Sequence, residues 1–128
     1  MIITHLQGGL GNQMFQYACG YALAKEYNCQ HKLDISYYSS IPSTHTKREF
    51  ELLEFNISSP VVKDEDKRKQ NKIQQFLNPI SSKFHSIFTG IYPIGKYFAK
   101  KNLYLDGYFQ SEKFFIKYGE NILKEFTL

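Results

Sequence analysis

Three glycines and two amides stand close together near the start of the chain, in Gly8-Gly9-Leu10-Gly11-Asn12-Gln13. Glycines between a strand and a helix let the backbone turn tightly and approach a ligand with no Cβ in the way. The start of the helix offers unpaired N–H groups and a positive dipole end, which suit anionic or polar ligand groups. The side chains of Asn12 and Gln13 both donate and accept hydrogen bonds, as sugar hydroxyls require. The segment is a candidate ligand site, although such a pattern can also be a turn and nothing more.

Two nucleotide-binding motifs can be tested against this segment, and neither is present. The pattern G-x-x-x-x-G-K-[ST] does not occur, and G-x-G-x-x-G beginning at Gly9 would need glycine where the chain has Met14. Asp34 nevertheless stands about where an acidic residue would bind a ribose in a dinucleotide fold. A nucleotide-binding βαβ module that uses Asp34 therefore stays open as an alternative.

The elements that would position this loop are a strand, a helix and a second strand. Apolar residues predict a short buried strand over residues 1–6, and QHKLDIS predicts another over 30–36. Between them the pattern predicts a helix that Asn12 caps and that ends near Tyr27. Its apolar face is predicted to contain Met14, Phe15, Ala18 and Ala22. This order predicts an α/β fold with a parallel sheet.

The rest of the chain predicts fewer elements. Residues 37–60 are mixed in character, and residues 63–88 have the periodicity of an amphipathic helix that Pro79 interrupts. A third strand is predicted over 103–108. A last helix is predicted from about Glu112 to Phe126, with Ser111 as its cap.

Composition limits the classes of protein that this chain can belong to. With 128 residues, 42% of them hydrophobic, the chain fits one domain and is not wholly disordered. It contains no apolar run long enough to span a bilayer and no signal-peptide pattern at its start. Cys19 and Cys29 form no C-x-x-C motif, which favours a reduced, cytoplasmic protein. Residues 63–101 carry nine Lys/Arg against three Asp/Glu, so the basic surplus is one local patch and does not indicate nucleic-acid binding.

The sequence predicts no metal site and no cofactor. Residues 64–66 (DED) resemble a metal-binding D-x-D motif, but they lie in a charge run typical of a solvated helix start. No ligand-like spacing connects the four histidines, His5, His31, His45 and His85. Among them His5 is of some interest because it ends the first strand just before the glycines, although a packed or capping histidine is the simpler interpretation. Cys19 is interpreted as a small core residue.

The basic residues 67–69, together with Lys72, precede an apolar stripe, and two interpretations stay open. The helix can pack its apolar face on the domain, which we favour. It can instead lie peripherally on an anionic membrane surface.

The extended string GGLGNQMFQYACGYALA resembles the N-terminal signature of the bacterial α-1,2-fucosyltransferases, glycosyltransferase family 11. The resemblance continues at Leu33-Asp34, in residues 48–57 (REFELLEFNI) and in residues 104–115 (YLDGYFQSEKFF). These blocks follow the family's order across nearly the whole chain, while the middle segment matches poorly.

The resemblance implies a GT-B-like enzyme, with two Rossmann-like domains facing a cleft and no metal requirement. Such an enzyme transfers L-fucose from GDP-β-L-fucose to the 2-hydroxyl of a galactose, with inversion. The expected partners are GDP-fucose and a galactose-terminated or lipid-linked acceptor, in the cytoplasm or peripherally at the inner membrane face. The residues that match the loop beside the transferred sugar are Gly8, Gly9, Gly11, Asn12 and Gln13. A second block, expected on the acceptor side and without individual roles, contains Asp106, Tyr108, Gln110 and Glu112.

One family motif is missing. The H-x-R-R-x-D-like string that is thought to hold the GDP phosphates does not occur, and the nearest basic cluster, residues 45–48 (HTKR), lies too early with the wrong spacing. We therefore expect residues 1–128 to form the N-terminal Rossmann-like domain, with a variable basic and amphipathic segment at about 61–101 and without the C-terminal donor-binding domain. Such a chain is expected to be inactive alone. A non-catalytic remnant or interaction subunit is the remaining alternative.

Overall fold

The structure is a computed structural model, and a three-stranded parallel sheet forms its centre. The model describes residues 1–39, 48–63, 103–105 and 115–128. Its strands are β1 (Ile2–His5), β2 (His31–Asp34) and β3 (Leu103–Leu105), in the order β2-β1-β3. Both pairings are parallel, and Ile2 is in register with His31 and with Leu103. The predicted α/β class with a parallel sheet is confirmed, and the arrangement is compatible with a Rossmann-like domain.

The second strand is shorter than the sequence predicts. The predicted strand runs to residue 36, whereas β2 ends at Asp34 and a 3-10 turn covers Ser36–Ser39. The Ser36 N–H donates a hydrogen bond of 3.0 Å to the Asp34 carboxylate, which turns the chain out of the sheet. Beyond this turn, Val61 forms a parallel bridge to Leu33 and extends the sheet past β2.

Helix α1 (Leu10–Glu26) connects β1 to β2. Its N-cap is Gly9, in an extended conformation, so the prediction that Asn12 caps the helix is wrong. Asn12 lies instead within the first turn, because the glycine lets the chain begin the helix earlier. At the other end Asn28 adopts φ 50°, a left-handed conformation that asparagine tolerates, and the predicted end near Tyr27 is confirmed.

Every residue of α1 from Gln16 to Ala24 is buried, so burial extends around the helix and is not confined to the single apolar face that the sequence predicts. Ala18 and Ala22 lie in the core as expected, whereas Met14 and Phe15 are only partly buried. Cys19 is a buried core residue, as predicted. The closest approach to the sheet is at Gly20, where a Cβ would lie 1.9 Å from Thr4 Oγ1 and 2.4 Å from His31 Nε2. Only a residue without a side chain fits there.

A chain of buried hydrogen bonds joins the sheet to both helices. It runs from Thr4 Oγ1 to His31 Nε2 (2.8 Å), from His31 Nδ1 to Ser59 Oγ (2.7 Å), from Ser59 Oγ to Tyr17 OH (3.1 Å) and from Tyr17 OH to Glu125 Oε2 (2.5 Å). Burial, followed by the bond to Glu125, raises the pKa of Tyr17, so the hydroxyl keeps its proton and donates its one hydrogen bond to that carboxylate. Ser59 must then donate to Tyr17 and accept from His31, and Thr4 must donate to His31. The His31 ring therefore carries its proton on Nδ1.

The C-terminal segment packs on α1. A 3-10 turn (Ile116–Tyr118) precedes helix α2 (Gly119–Glu125), so the predicted helix from Glu112 begins too early. The chain bends at Phe115, whose ring packs on Phe15 with centroids 5.9 Å apart. The predicted cap Ser111, the predicted helix beyond residue 63 and the part of the predicted third strand after Leu105 lie outside the described residues. Within the described ranges, no helix has both the length and the hydropathy that crossing a bilayer requires.

Candidate active site

The predicted glycine loop connects β1 to α1 at the carboxyl end of the sheet. Gly8 has φ 78°, which a residue with a side chain rarely adopts, and a Cβ there would lie 2.7 Å from Asn12 Nδ2. The exposed side chain of Arg48 lies beside Gly9: a Cβ built on Gly9 would be 3.6 Å from Arg48 Nη1. Gly11 is exposed at the start of α1. Open space therefore lies beside Gly11, where no described atom would come within 4 Å of a Cβ, while a cation lies beside Gly9.

The side chain of Gln13 holds this loop in place through hydrogen bonds to backbone groups. Its side chain is 0% exposed, and its amide nitrogen donates to Gly8 O (3.2 Å) and to Glu49 O (2.7 Å). Its amide oxygen accepts from the Glu51 N–H at 3.0 Å. Both functions of the amide are thus used on backbone groups, and Gln13 ties the loop to the segment that contains Arg48. A direct contact of Gln13 with substrate stays a prediction.

A histidine and an aspartate lie next to each other at the same edge. His5 and Asp34 are register partners at the ends of β1 and β2, with 3.4 Å between His5 Nδ1 and Asp34 Oδ2. Tyr104 OH donates to Asp34 Oδ2 (2.8 Å), and the Ser36 N–H donates to Oδ1 (3.0 Å). Burial opposes the charge of Asp34, yet the hydrogen bonds from His5, Ser36 and Tyr104 outweigh it and hold its pKa well below the usual range. Asp34 is therefore an ionised carboxylate.

This environment gives no support to the alternative in which Asp34 binds a ribose. The residue is 2% exposed, and its two oxygens already accept hydrogen bonds from three partners.

Two tyrosines of the 3-10 turn after β2 connect the loop to the histidine. Tyr38 OH donates to Gly8 O at 3.0 Å, and the Tyr37 ring meets the His5 ring edge-on with centroids 6.5 Å apart. The rings of Tyr37 and Tyr38 pack on each other at 5.2 Å. The glycine loop and His5 therefore share the carboxyl edge of the sheet, where parallel α/β folds bind their ligands.

The other predicted site residues are not placed. Asp106, Tyr108, Gln110 and Glu112 lie outside the described residues, so their acceptor-side role stays a prediction. Within the described ranges, no three His, Cys, Asp or Glu side chains are grouped as metal ligands.

The amino end of the sheet has a cavity of about 180 Å³, whose lining includes Lys25, His31 and Ser59. Burial lowers the pKa of His31 to about 3, so its ring is neutral. Both ring nitrogens are already hydrogen-bonded, to Thr4 and Ser59. This histidine therefore has no nitrogen to offer a ligand, unlike His5 at the opposite edge.

The sequence predicted the loop but not the surroundings that fix it. Three of these contacts join residues at least 29 positions apart: His5 with Asp34, Tyr104 with Asp34, and Gln13 with Glu49. The sequence contained one weaker signal for the histidine–aspartate pair: a titratable residue, His5 or Asp34, stands at or near the end of each of two predicted strands.

Comparison with known proteins supports one class of protein, the glycosyltransferases. The alpha-1,2-colitosyltransferase of Escherichia coli is 31% identical over 135 aligned residues, which cover 99% of this chain and 45% of that protein. The O-antigen biosynthesis glycosyltransferase WbnK of Escherichia coli is 39% identical over 74 residues, covering 57% of this chain and 24% of that protein. The alignments therefore cover less than half of either relative. No family model matches the chain, and no solved structure matches it significantly.

Proposed function

We propose that this chain forms the N-terminal part of a GT-B-like, inverting α-1,2-glycosyltransferase. Its donor is GDP-β-L-fucose, its acceptor is the 2-hydroxyl of a galactose on a glycan, and it needs no metal. The observation that carries the proposal is the 31% identity with an alpha-1,2-colitosyltransferase across 99% of the chain. Colitose is L-fucose without the 3-hydroxyl, so the two sugars share ring shape and hand and differ at one position.

The geometry of the carboxyl edge suits this reaction. Sugar transfer needs the donor carbon held against a hydroxyl nucleophile while negative charge develops on the departing diphosphate. Gly9 and Gly11 bring backbone without side chains to the start of α1, and Asn12 adds an amide in its first turn. Arg48 is an exposed cation over the same loop. The proposed second domain supplies most of the contacts to the nucleotide.

The name of one relative includes O-antigen biosynthesis, which supports a glycan acceptor. If that acceptor is lipid-linked, the basic residues 67–69 would bring the protein to an anionic membrane. Changing all three to glutamate should then weaken flotation with anionic liposomes. Unchanged flotation would exclude this contact.

A donor and acceptor assay tests the proposed function. The protein, expressed at the full length that its gene encodes and also as the 128-residue chain, is incubated with a galactose-terminated acceptor and one donor at a time. The donors are GDP-L-fucose, GDP-colitose and UDP-galactose, the last as a control. We expect an α-1,2-fucosylated product from the full-length protein and little or none from the 128-residue chain. Transfer from GDP-colitose alone would contradict the fucose donor, and no transfer from any donor would contradict sugar transfer.

Asn12→Ala tests the loop within the same assay. We expect turnover at least tenfold lower, because a hydrogen bond that aligns the sugar is lost, with little loss of stability. Wild-type rates would exclude Asn12 from the site.

A further inference from the structure

We propose that His5 is the general base that accepts the proton of the acceptor hydroxyl, and that Asp34 is the residue that positions it. This inference rests on the proposed sugar transfer and assigns a residue to the step that it leaves open. The two side chains lie at the carboxyl ends of adjacent strands, with His5 Nδ1 and Asp34 Oδ2 3.4 Å apart. His5 also stands three residues before Gly8, in the loop proposed to lie beside the transferred sugar.

The state of Asp34 decides which nitrogen of His5 is free. An ionised carboxylate can only accept hydrogen bonds, so His5 must donate through Nδ1–H. A neutral ring with its proton on Nδ1 has its lone pair on Nε2, which is the form that a base requires. The distance of 3.4 Å is long for such a bond, as is common before substrate binds.

Accessibility separates the two roles. The His5 side chain keeps 17% of its surface exposed, whereas the Asp34 side chain keeps 3%. A hydroxyl can therefore reach the imidazole but not the carboxylate. No second hydrogen bond of the His5 ring occurs among the residues described, so Nε2 is open to a ligand.

The neighbours of His5 do not compete for this role. The titratable groups that face its ring, in the described part of the chain, are Asp34, Tyr37 and Tyr104. Tyr104 is a protonated phenol that donates a hydrogen bond to Asp34, and it is therefore not a base. Tyr37 meets the His5 ring edge-on, which fixes the plane of the imidazole without using a nitrogen.

The proposed step balances without any further reagent. The acceptor oxygen attacks the anomeric carbon of the donor sugar and forms the new C–O bond while its proton moves to His5 Nε2. The bond between the anomeric carbon and the diphosphate oxygen breaks, and its electron pair leaves with the nucleoside diphosphate. The imidazolium that results is stabilised by Asp34 and later releases its proton to water.

Three variants and one control test the assignment in the full-length protein. We expect His5→Gln to lower kcat by about 10² to 10⁴-fold with little change in KM, which is the usual contribution of a general base. The limb of the pH profile caused by protonation of the base should disappear, and added imidazole should restore part of the rate to His5→Ala. Asp34→Asn should lower kcat too, while Lys117→Gln, an exposed residue, should leave it unchanged.

An independent measurement reads the tautomer directly. Nitrogen NMR of the labelled protein without substrate should show His5 protonated on Nδ1 at pH 8, and Asp34→Asn should increase the Nε2–H form. His5 protonated on Nε2 in the wild type would overturn the proposal. So would a His5→Gln variant that keeps more than half of the wild-type kcat.

The failure of the proposed function looks different. If the wild type transfers no sugar from any donor, both the function and the base assignment fall, whatever the tautomer is. If the wild type transfers sugar and His5→Gln does so equally well, only the base assignment falls.

Discussion

The buried histidine His31 makes the fold sensitive to mild acid. Its ring accepts from Thr4 and donates to Ser59 in the buried hydrogen-bond chain, and burial lowers its pKa from 6.5 to about 3. In the unfolded chain the same imidazole takes up a proton near its ordinary value. Protonation therefore favours the unfolded state, and the contribution of His31 to stability is complete above pH 6.5 and is lost as the pH falls from there towards about 3.

The size of the effect follows from these two values. Below its unfolded pKa, each pH unit changes the free energy of unfolding by about 1.4 kcal/mol for one proton. Between pH 7 and pH 5 we therefore expect a loss of about 2 kcal/mol from His31 alone. Asp34 contributes nothing in this interval, because its carboxyl is ionised in both states above its ordinary pKa of 3.8. Its stabilisation is lost only in stronger acid.

Guanidinium unfolding at pH 7 and pH 5 measures this difference, with His31→Gln as the matched variant. Glutamine can donate and accept hydrogen bonds but does not titrate, so the variant should lose less stability than the wild type on going to pH 5. Its stability at pH 7 is lower at the outset, which is why only the change between the two pH values is compared. Equal changes in both proteins would refute the reasoning, because His31 would then be equally protonated in the folded and unfolded states.

Substitutions at three further positions test how the loop and the helix are held, each read from guanidinium unfolding. Gly8→Ala should cost about 1–2 kcal/mol, because alanine is strained at φ 78°, although the amide of Asn12 can move aside; no loss would mean that the loop relaxes. Gly20→Ala should cost about 3 kcal/mol, since its methyl would overlap Thr4 Oγ1, and a neutral result would contradict the close helix–sheet contact. Gln13→Leu should cost about 3 kcal/mol by leaving buried backbone groups unpaired. Gln13→Glu should cost at least as much, because one carboxylate oxygen would face the carbonyl oxygens of Gly8 and Glu49 in a fully buried position. A Gln13→Glu variant as stable as the wild type would show that these hydrogen bonds do not hold the loop.

The parts of the fold that could be predicted are those that local sequence determines. The apolar run of β1, the glycines and the long helix to residue 26 follow from periodicity and turn chemistry within about 25 positions. The helix start was misplaced at Asn12 because both an asparagine and a glycine can begin a helix, and here Gly9 occupies the cap.

The remainder depends on distant contacts that periodicity does not carry. Glu125 accepts a hydrogen bond from Tyr17, 108 positions earlier, and Tyr104 donates one to Asp34 across 70 positions. The Gln13 amide likewise bonds to backbone groups of residues 49 and 51, contacts that no local pattern predicts. For this reason the loop could be predicted from the sequence, whereas the groups that orient it could not.

His5 and His31 are in different environments because the strand register places them on different faces of the sheet. His31 is in register with Ile2, and His5 with Asp34, so the two rings lie three register positions apart and on opposite faces of the sheet. The ring on the face of α1 has both nitrogens engaged, whereas the other has one engaged and one open. A substitution at His31 should therefore change how stability depends on pH without changing the pH profile of kcat. A substitution at His5 should change the pH profile of kcat. If the His31 substitution altered the pH profile of kcat as well, the two ends of the sheet would be coupled, and the separation of the two histidines inferred from the register would be wrong.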